Sequence, residues 1–208
     1  MLTIAALSDT HGGHEEAIVP EADVLVHAGD FLTVGVLDDA VRFGKWLARQ
    51  PHRYKVVIAG NHDAAFQHQP EEARAALGDA IYLQDSAVTI EGFRFYGSPW
   101  TPKFLSWSFM LPRGPELAAK WAQIPDETDV LITHGPPRGI LDRIYSGRHE
   151  GCDFLAARIR EVRPQLHFFG HIHESAGETM LGETRHANVT YLPGDAAAVF
   201  TLEKPRRG

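Results

Sequence analysis

"LHFFGHIHES", Leu166 to Ser175, is the stretch on which the reading of this chain turns. Its first four residues, apolar but for His167, read as a short buried strand. The run stops at Gly170, and two imidazoles follow two positions apart, His171 and His173. In extended chain, side chains two apart share a face, so both rings can address one spot. An H-x-H taken alone is a weak signal, because a pair of part-exposed histidines at a strand-to-loop junction is the commoner outcome. The sharper meaning is half of a metal site, and the rest of the chain has to decide between them.

Working outward, four more apolar, β-branched-rich runs end in the same way: "LTIAALSDTH", "DVLVHAGD", "KVVIAGNHD" and "DVLITHGPP". Continuous rather than alternating apolar character marks strands covered on both faces. Helical segments are predicted between them at Val36 to Gln50, Pro70 to Leu77, Pro115 to Gln123 and Cys152 to Val162, with proline or glycine near their ends. The centre, "AIYLQDSAVTIEGFRFYGSPW", holds strand-like runs about a Gly92 turn without a helix between them, which predicts antiparallel hairpin pairing. The C-terminal "HANVTYLPGDAAAVFTLE" repeats that style. The expected fold is α/β, two mixed sheets packed face to face with helices outside, in one domain over residues 1–208. Only "KPRRG" at the end reads as a loose basic tail.

Composition narrows the function classes. Of 208 residues, 44% are hydrophobic and 23% charged, values of an ordinary globular protein. The formal net charge is −7, and no Lys/Arg run is long enough to track a nucleic acid. No apolar window reaches the length of a membrane span, and the N-terminal run is too short, lacks a basic lead and meets Asp9 early, so a cytoplasmic protein is expected. Cys152 is the only cysteine, against 12 histidines, which excludes an intrachain disulfide and a thiolate cluster. Any metal would be held by nitrogen and oxygen. Cys152 itself reads as a small packed residue.

At the five strand ends stand Asp9 and His11, then Asp30, then Asn61, His62 and Asp63, then His134, and last His171 and His173. Each alone could be a turn former, a helix cap or a loop histidine. Their recurrence at successive strand ends, where α/β sheets gather their chemistry, is improbable by accident. The ordered set D-x-H, G-D, G-N-H-D, H-G and G-H-x-H resembles the calcineurin-like metallophosphoesterase family, from Asp9 to His173 and with every position filled. The flanking "GSPWTP", "DVLITHGPP", "GRHEGCDFL" and "FGHIHES" are similar to the branch containing the vertebrate metallophosphoesterase-domain-containing proteins.

The resemblance implies two divalent ions, with manganese favoured over iron and zinc. Asp9, His11 and His173 would hold one, Asn61, His134 and His171 the other, and Asp30 would bridge them. It implies hydrolysis of a phosphoester by a hydroxide that the two ions activate, with His62 protonating the leaving oxygen and Asp63 orienting or charging His62. A small phosphodiester is the expected substrate, a nucleotide among the candidates. A phosphomonoesterase, including a protein phosphatase, is the second reading, and a weakly active nucleotide-binding scaffold the third. A metallo-β-lactamase-like site would need H-x-H-x-D-H, which "DTHGGH" does not supply. The sequence leaves open whether Trp100, Phe104, Trp107, Arg148 or His149 touches substrate, and also the oligomeric state. His14 reads as an exposed loop residue, and Trp46 and Trp121 as core.

Overall fold

Two sheets lie face to face in the computed structural model, which describes residues 1–204. The first is built on β1 (Leu2–Leu7), β2 (Val24–Ala28), β3 (Tyr54–Ile58) and the two-residue β4 (Ile81–Tyr82), all parallel, with the last strand, β13 (Ala198–Leu202), antiparallel beside β1. In the second, β6 (Phe93–Ser98), β9 (Val130–Thr133), β10 (Leu166–Phe169) and β12 (Thr184–Asn188) run parallel. Antiparallel edges are added by β5 (Ser86–Ile90) and β11 (Gly177–Leu181). A separate short ribbon pairs β7 (Thr101–Pro102) with β8 (Met110–Leu111).

The apolar runs are continuous because each strand feeds two cores. Ile4, Ala6, Val26, Val56 and Ile58 of the first sheet meet Phe95, Val130, Ile132 and Phe168 of the second across the sandwich. The alternate residues Leu7, Leu25 and Val57 face outward under α1 (Leu37–Arg49), α2 (Ala65–His68) and α3 (Pro70–Ala76). Tyr96 and Leu131 do the same under α4 (Pro115–Trp121) and α5 (Asp153–Val162). Helix α1 is amphipathic, burying Phe43, Trp46 and Leu47, and its acidic first turn and basic last turn suit the helix dipole. Pro70 and Pro115 open α3 and α4, where a missing N–H costs nothing. Trp46 and Trp121 are core, as expected, and Cys152 is buried with the Trp121 indole N–H donating to its sulfur at 3.2 Å.

The four predicted helices are observed as α1, α3, α4 and α5 to within two residues at each end, the short α2 was not foreseen, and the Gly92 hairpin forms between β5 and β6. Two expectations are corrected. The C-terminal pair is not a hairpin: β12 stays in the second sheet, and the chain then crosses so that β13 joins the first. Likewise Ile81 and Tyr82 pair with β3 in the first sheet instead of joining the central hairpin. Apart from Lys204, the residues of the "KPRRG" tail lie outside the described ones. Among the described residues no helix is long and apolar enough to cross a membrane.

Candidate metal centre

Because the parallel strands of both sheets point their C-terminal ends the same way, the tips after β1, β2, β3, β9 and β10 converge. Backbone bonds stitch the seam: Asp9 N–H donates to Gly29 O at 2.9 Å, Ser8 N–H to Val189 O at 2.9 Å and Gly170 N–H to His134 O at 2.9 Å. Candidate ligand atoms fall into three overlapping trios, Asp9–His11–His173, His11–Asp30–His62 and Asp30–His134–His171, with the atoms of each trio within 4.8 Å of one another. Asn61 joins through its Oδ1, 3.0 Å from His134 Nε2. All seven residues expected to hold metal are therefore brought to one place, drawn from both sheets.

The backbone is bent to achieve this. Asp9, His11, Asp30 and His171 all take positive φ, at 54°, 43°, 56° and 68°. Such conformations cost about 1–3 kcal/mol each and persist where surrounding structure imposes them. Two glycines give the carboxylates room: a Cβ on Gly170 would stand 1.9 Å from Asp9 Oδ2, and one on Gly60 2.3 Å from Asp30 Oδ1. The glycines of G-N-H-D and G-H-x-H are thus steric requirements of the site.

His134 shows what the site demands. Its Nδ1 lies 3.0 Å from the Ala28 carbonyl, an acceptor only, so that nitrogen carries the proton. The other nitrogen then faces Asn61 Oδ1 at 3.0 Å and Asp30 Oδ2 at 3.2 Å. Electron-rich atoms crowd together there, and a cation or a second proton must reconcile them. Burial alone would lower the His134 pKa, but the charge and hydrogen bond of Asp30 raise it to about 9. The Asp9 carboxyl is pushed up by burial yet held well below the usual range by its bond to His173 and the charge of His134. Burial and the charge of His134 push His171 down to about 4, so its ring is neutral and free to act as a ligand. A set of imidazoles, carboxylates and an amide oxygen, buried at Asp9, Asp30, Asn61 and His134 and open to solvent at His173, with positive charge wanted at its middle, fits divalent metal.

His62 borders the same hollow. Its ring lies edge-on to His11 at 4.7 Å and 4.1 Å from the ring of Trp107. Asp63 departs from expectation: it does not reach the His62 ring. It is fully buried, and its carboxylate accepts the backbone N–H groups of Asp30 at 2.8 Å, Gly60 at 2.7 Å and Leu32 at 2.9 Å. Asp63 thus locks the β2 and β3 tips together. His14 is also corrected, being 5% exposed and packed on Phe43 and Trp46. His149 is turned to Asp142, whereas Arg148 lines a neighbouring cleft. Sequence reasoning missed Ser8 and Thr190, whose hydroxyls both donate to Asp9 Oδ2. Thr190 carries no local signal, since it meets Asp9 from 181 residues away.

Comparison with known proteins bears directly on this cluster. Residues 2–175 match the calcineurin-like phosphoesterase family, a span that takes in every strand tip from Asp9 to His173. The chain belongs to that family. Membership makes it a metal-dependent phosphoesterase, a hydrolase, and the matched span contains donor groups that could hold divalent metal. Human metallophosphoesterase domain-containing protein 1 is 41% identical over 230 residues, covering 96% of this chain and 71% of the human one. The Caenorhabditis elegans UPF0046 protein K07C11.7 is 37% identical over 201 residues, covering 90% of this chain and 69% of the other. Among solved structures, TT1561 of Thermus thermophilus superposes with a TM-score of 0.65 over 90% of this chain and 88% of that one. At 15% identity that likeness is one of fold.

Proposed function

We propose that this calcineurin-like phosphoesterase is a phosphodiesterase acting on a small diester at a two-ion centre. The observation that carries the reading is a pair of joined hollows. One, about 310 Å³, is lined by His11, Asp30, Asn61, His62, His171 and His173. The other, about 520 Å³, adds Lys103, Arg113, Arg148 and Ile144, and Phe104, Tyr145, His171 and Glu174 border both. A phosphoryl group seated in the first leaves the second for a further ester substituent, which a monoester lacks. Phe104 is 59% exposed and Tyr145 94% exposed, two flat apolar faces at the junction that suit a planar group such as a nucleobase.

Asp9, His11 and His173 would hold one ion, Asn61, His134 and His171 the other, and Asp30, which belongs to two of the donor trios, would serve both. Manganese suits a set of carboxylate, amide and imidazole donors without thiolate. When bound, two divalent ions supply charge for the phosphoryl oxygens and acidify the attacking water. The protein does the rest. Asp63 and the two glycines fix the tips, and Ser8 and Thr190 orient Asp9. His62, held between Trp107 and His11, protonates the leaving oxygen. Lys103 and Arg148 screen the charge of the second substituent. A cytoplasmic setting, where the lone buried Cys152 stays a thiol, completes the reading.

The test is a panel of substrates on manganese-loaded protein: an aryl phosphodiester, the matching aryl phosphomonoester and cyclic nucleotides. On this panel kcat/KM should favour the diesters. A clear preference for the monoester would make the chain a phosphomonoesterase, and binding of nucleotides without turnover would make it a scaffold.

A further inference from the structure

On the α1 side of the β1 tip lies a hollow of about 320 Å³ that the chemistry above does not use. Its wall is the outer face of α1, where Arg42, Lys45 and Arg49 recur at i, i+3 and i+7, with Gly12, His14 and Thr33 opposite. In a chain of net charge −7 this is a local concentration of cations. Arg42 pairs with Asp39, and Arg49 reaches Glu15 Oε2 at 2.6 Å. Lys45 has no ion pair among the described residues. Three cations thus face two carboxylates; Arg49 and Glu15 are both more than half exposed, so that pair is weak and exchangeable, whereas Arg42 is held by the buried Asp39. His14, though 5% exposed, buries an Nδ1 that has no hydrogen-bond partner among the described residues. A buried polar atom without a partner is costly, and a ligand reaching the ring would relieve it.

The floor of this hollow is the back of the catalytic loop. Gly12 N–H donates to Phe31 O at 3.0 Å and His11 N–H to Asp30 O at 3.0 Å, while the Thr33 hydroxyl donates to His11 O at 3.2 Å. An occupant would therefore sit against the backbone whose other side carries His11 and Asp30. We propose that this hollow is a second anion site, which holds a phosphate dianion apart from the metal centre, with Lys45 as its anchor, Arg49 turning onto it from Glu15 and Arg42 adding its charge from its seat on Asp39. That dianion is the chemistry common to the products of phosphoester hydrolysis, a phosphomonoester from a diester and inorganic phosphate from a monoester. Filling the site stiffens the loop under His11, so the enzyme responds to its own product.

Calorimetric titration of the manganese-loaded full chain tests this, with inorganic phosphate in one series and methyl phosphate in another. The wild type should bind two anions per chain and Lys45→Glu one, with Lys45→Arg retaining both. Because Lys45 is exposed and belongs to none of the donor trios, Lys45→Glu should keep its turnover in phosphate-free buffer. The anion that fills the outer site at the lower concentration identifies which product the site senses. A single anion per wild-type chain, or two on Lys45→Glu, would overturn the proposal. Neither result would touch the phosphoesterase reading, which rests on the other hollow.

Discussion

At the scale of single residues, His62 separates chemistry from scaffolding. Its backbone N–H, not its ring, donates to Asp30 Oδ1, at 2.7 Å. Removing the ring therefore leaves the tip geometry in place, and His62→Ala should keep its metal. General-acid help is typically worth about 10²–10⁴-fold. The loss in kcat/KM should approach that factor on an alkyl or nucleotide diester, whose leaving oxygen is strongly basic, and be clearly smaller on a nitrophenyl diester. Equal losses on both, with metal depleted, would return His62 to a structural role. The same scale shows what sequence order hides. Asp63 reads as a companion of His62 because it is the next residue, yet its carboxylate reaches back to the β2 tip, 33 residues away, where Asp30 N–H waits. His14 reads as exposed because it follows two glycines, but the cover that buries it comes from Phe43 and Trp46 of α1. The convergence of these donors was legible because the same donor types recur at successive strand ends. The groups that hold the ligands are set by tertiary contact and leave no local trace.

At the scale of elements, the parallel strands were the most legible part, since burial on both faces leaves a continuous apolar run. Strand β11 was not: every one of its residues is exposed, and "GETML" offers neither alternation nor an apolar run. Strand β13 does alternate, burying Phe200 and Leu202, but alternation does not say which sheet receives it. The crossing is dictated by Ser8 pairing with Thr190 and by the five-residue ladder with β1. The turn after β10 yields a sharp prediction. A Cβ on Gly170 would meet Asp9 Oδ2 at 1.9 Å and Ser8 Oγ at 2.1 Å, whereas one on Gly13 has nothing within 4 Å. Misplacing a reacting group by about 1 Å can cost on the order of 10²-fold. Gly170→Ala should lose activity on that scale together with metal affinity, and Gly13→Ala should be silent in both. Intact activity in Gly170→Ala would mean that the Asp9 seat is looser than its contacts indicate.

At the scale of the whole molecule, the second sheet carries a buried histidine pair away from the tips. His167 meets the Thr133 hydroxyl at 2.8 Å and His186 at 3.2 Å. Burial and the neighbouring His186 push His167 well below 6.5, and burial pushes His186 down to about 4. Both rings are neutral in the folded protein, while the unfolded chain takes up protons below its ordinary value of 6.5. Their contribution is thus fully present above pH 6.5 and is lost as the pH falls toward 4. At about 1.4 kcal/mol per pH unit, His186 alone should lower stability by roughly 3 kcal/mol as the pH falls from 6.5 to 4, and His167 acts in the same direction. Urea midpoints at neutral and acid pH should fall less in His186→Gln than in the wild type, and parallel curves would contradict the assignment. The central claim, however, is that tips from two sheets assemble a two-ion phosphoesterase centre. Elemental analysis of manganese-saturated protein, run beside turnover of an aryl phosphodiester before and after chelation, tests it most directly. Two ions per chain are expected, with activity lost on stripping and regained on reloading. One ion or none per saturated chain with full turnover would contradict it.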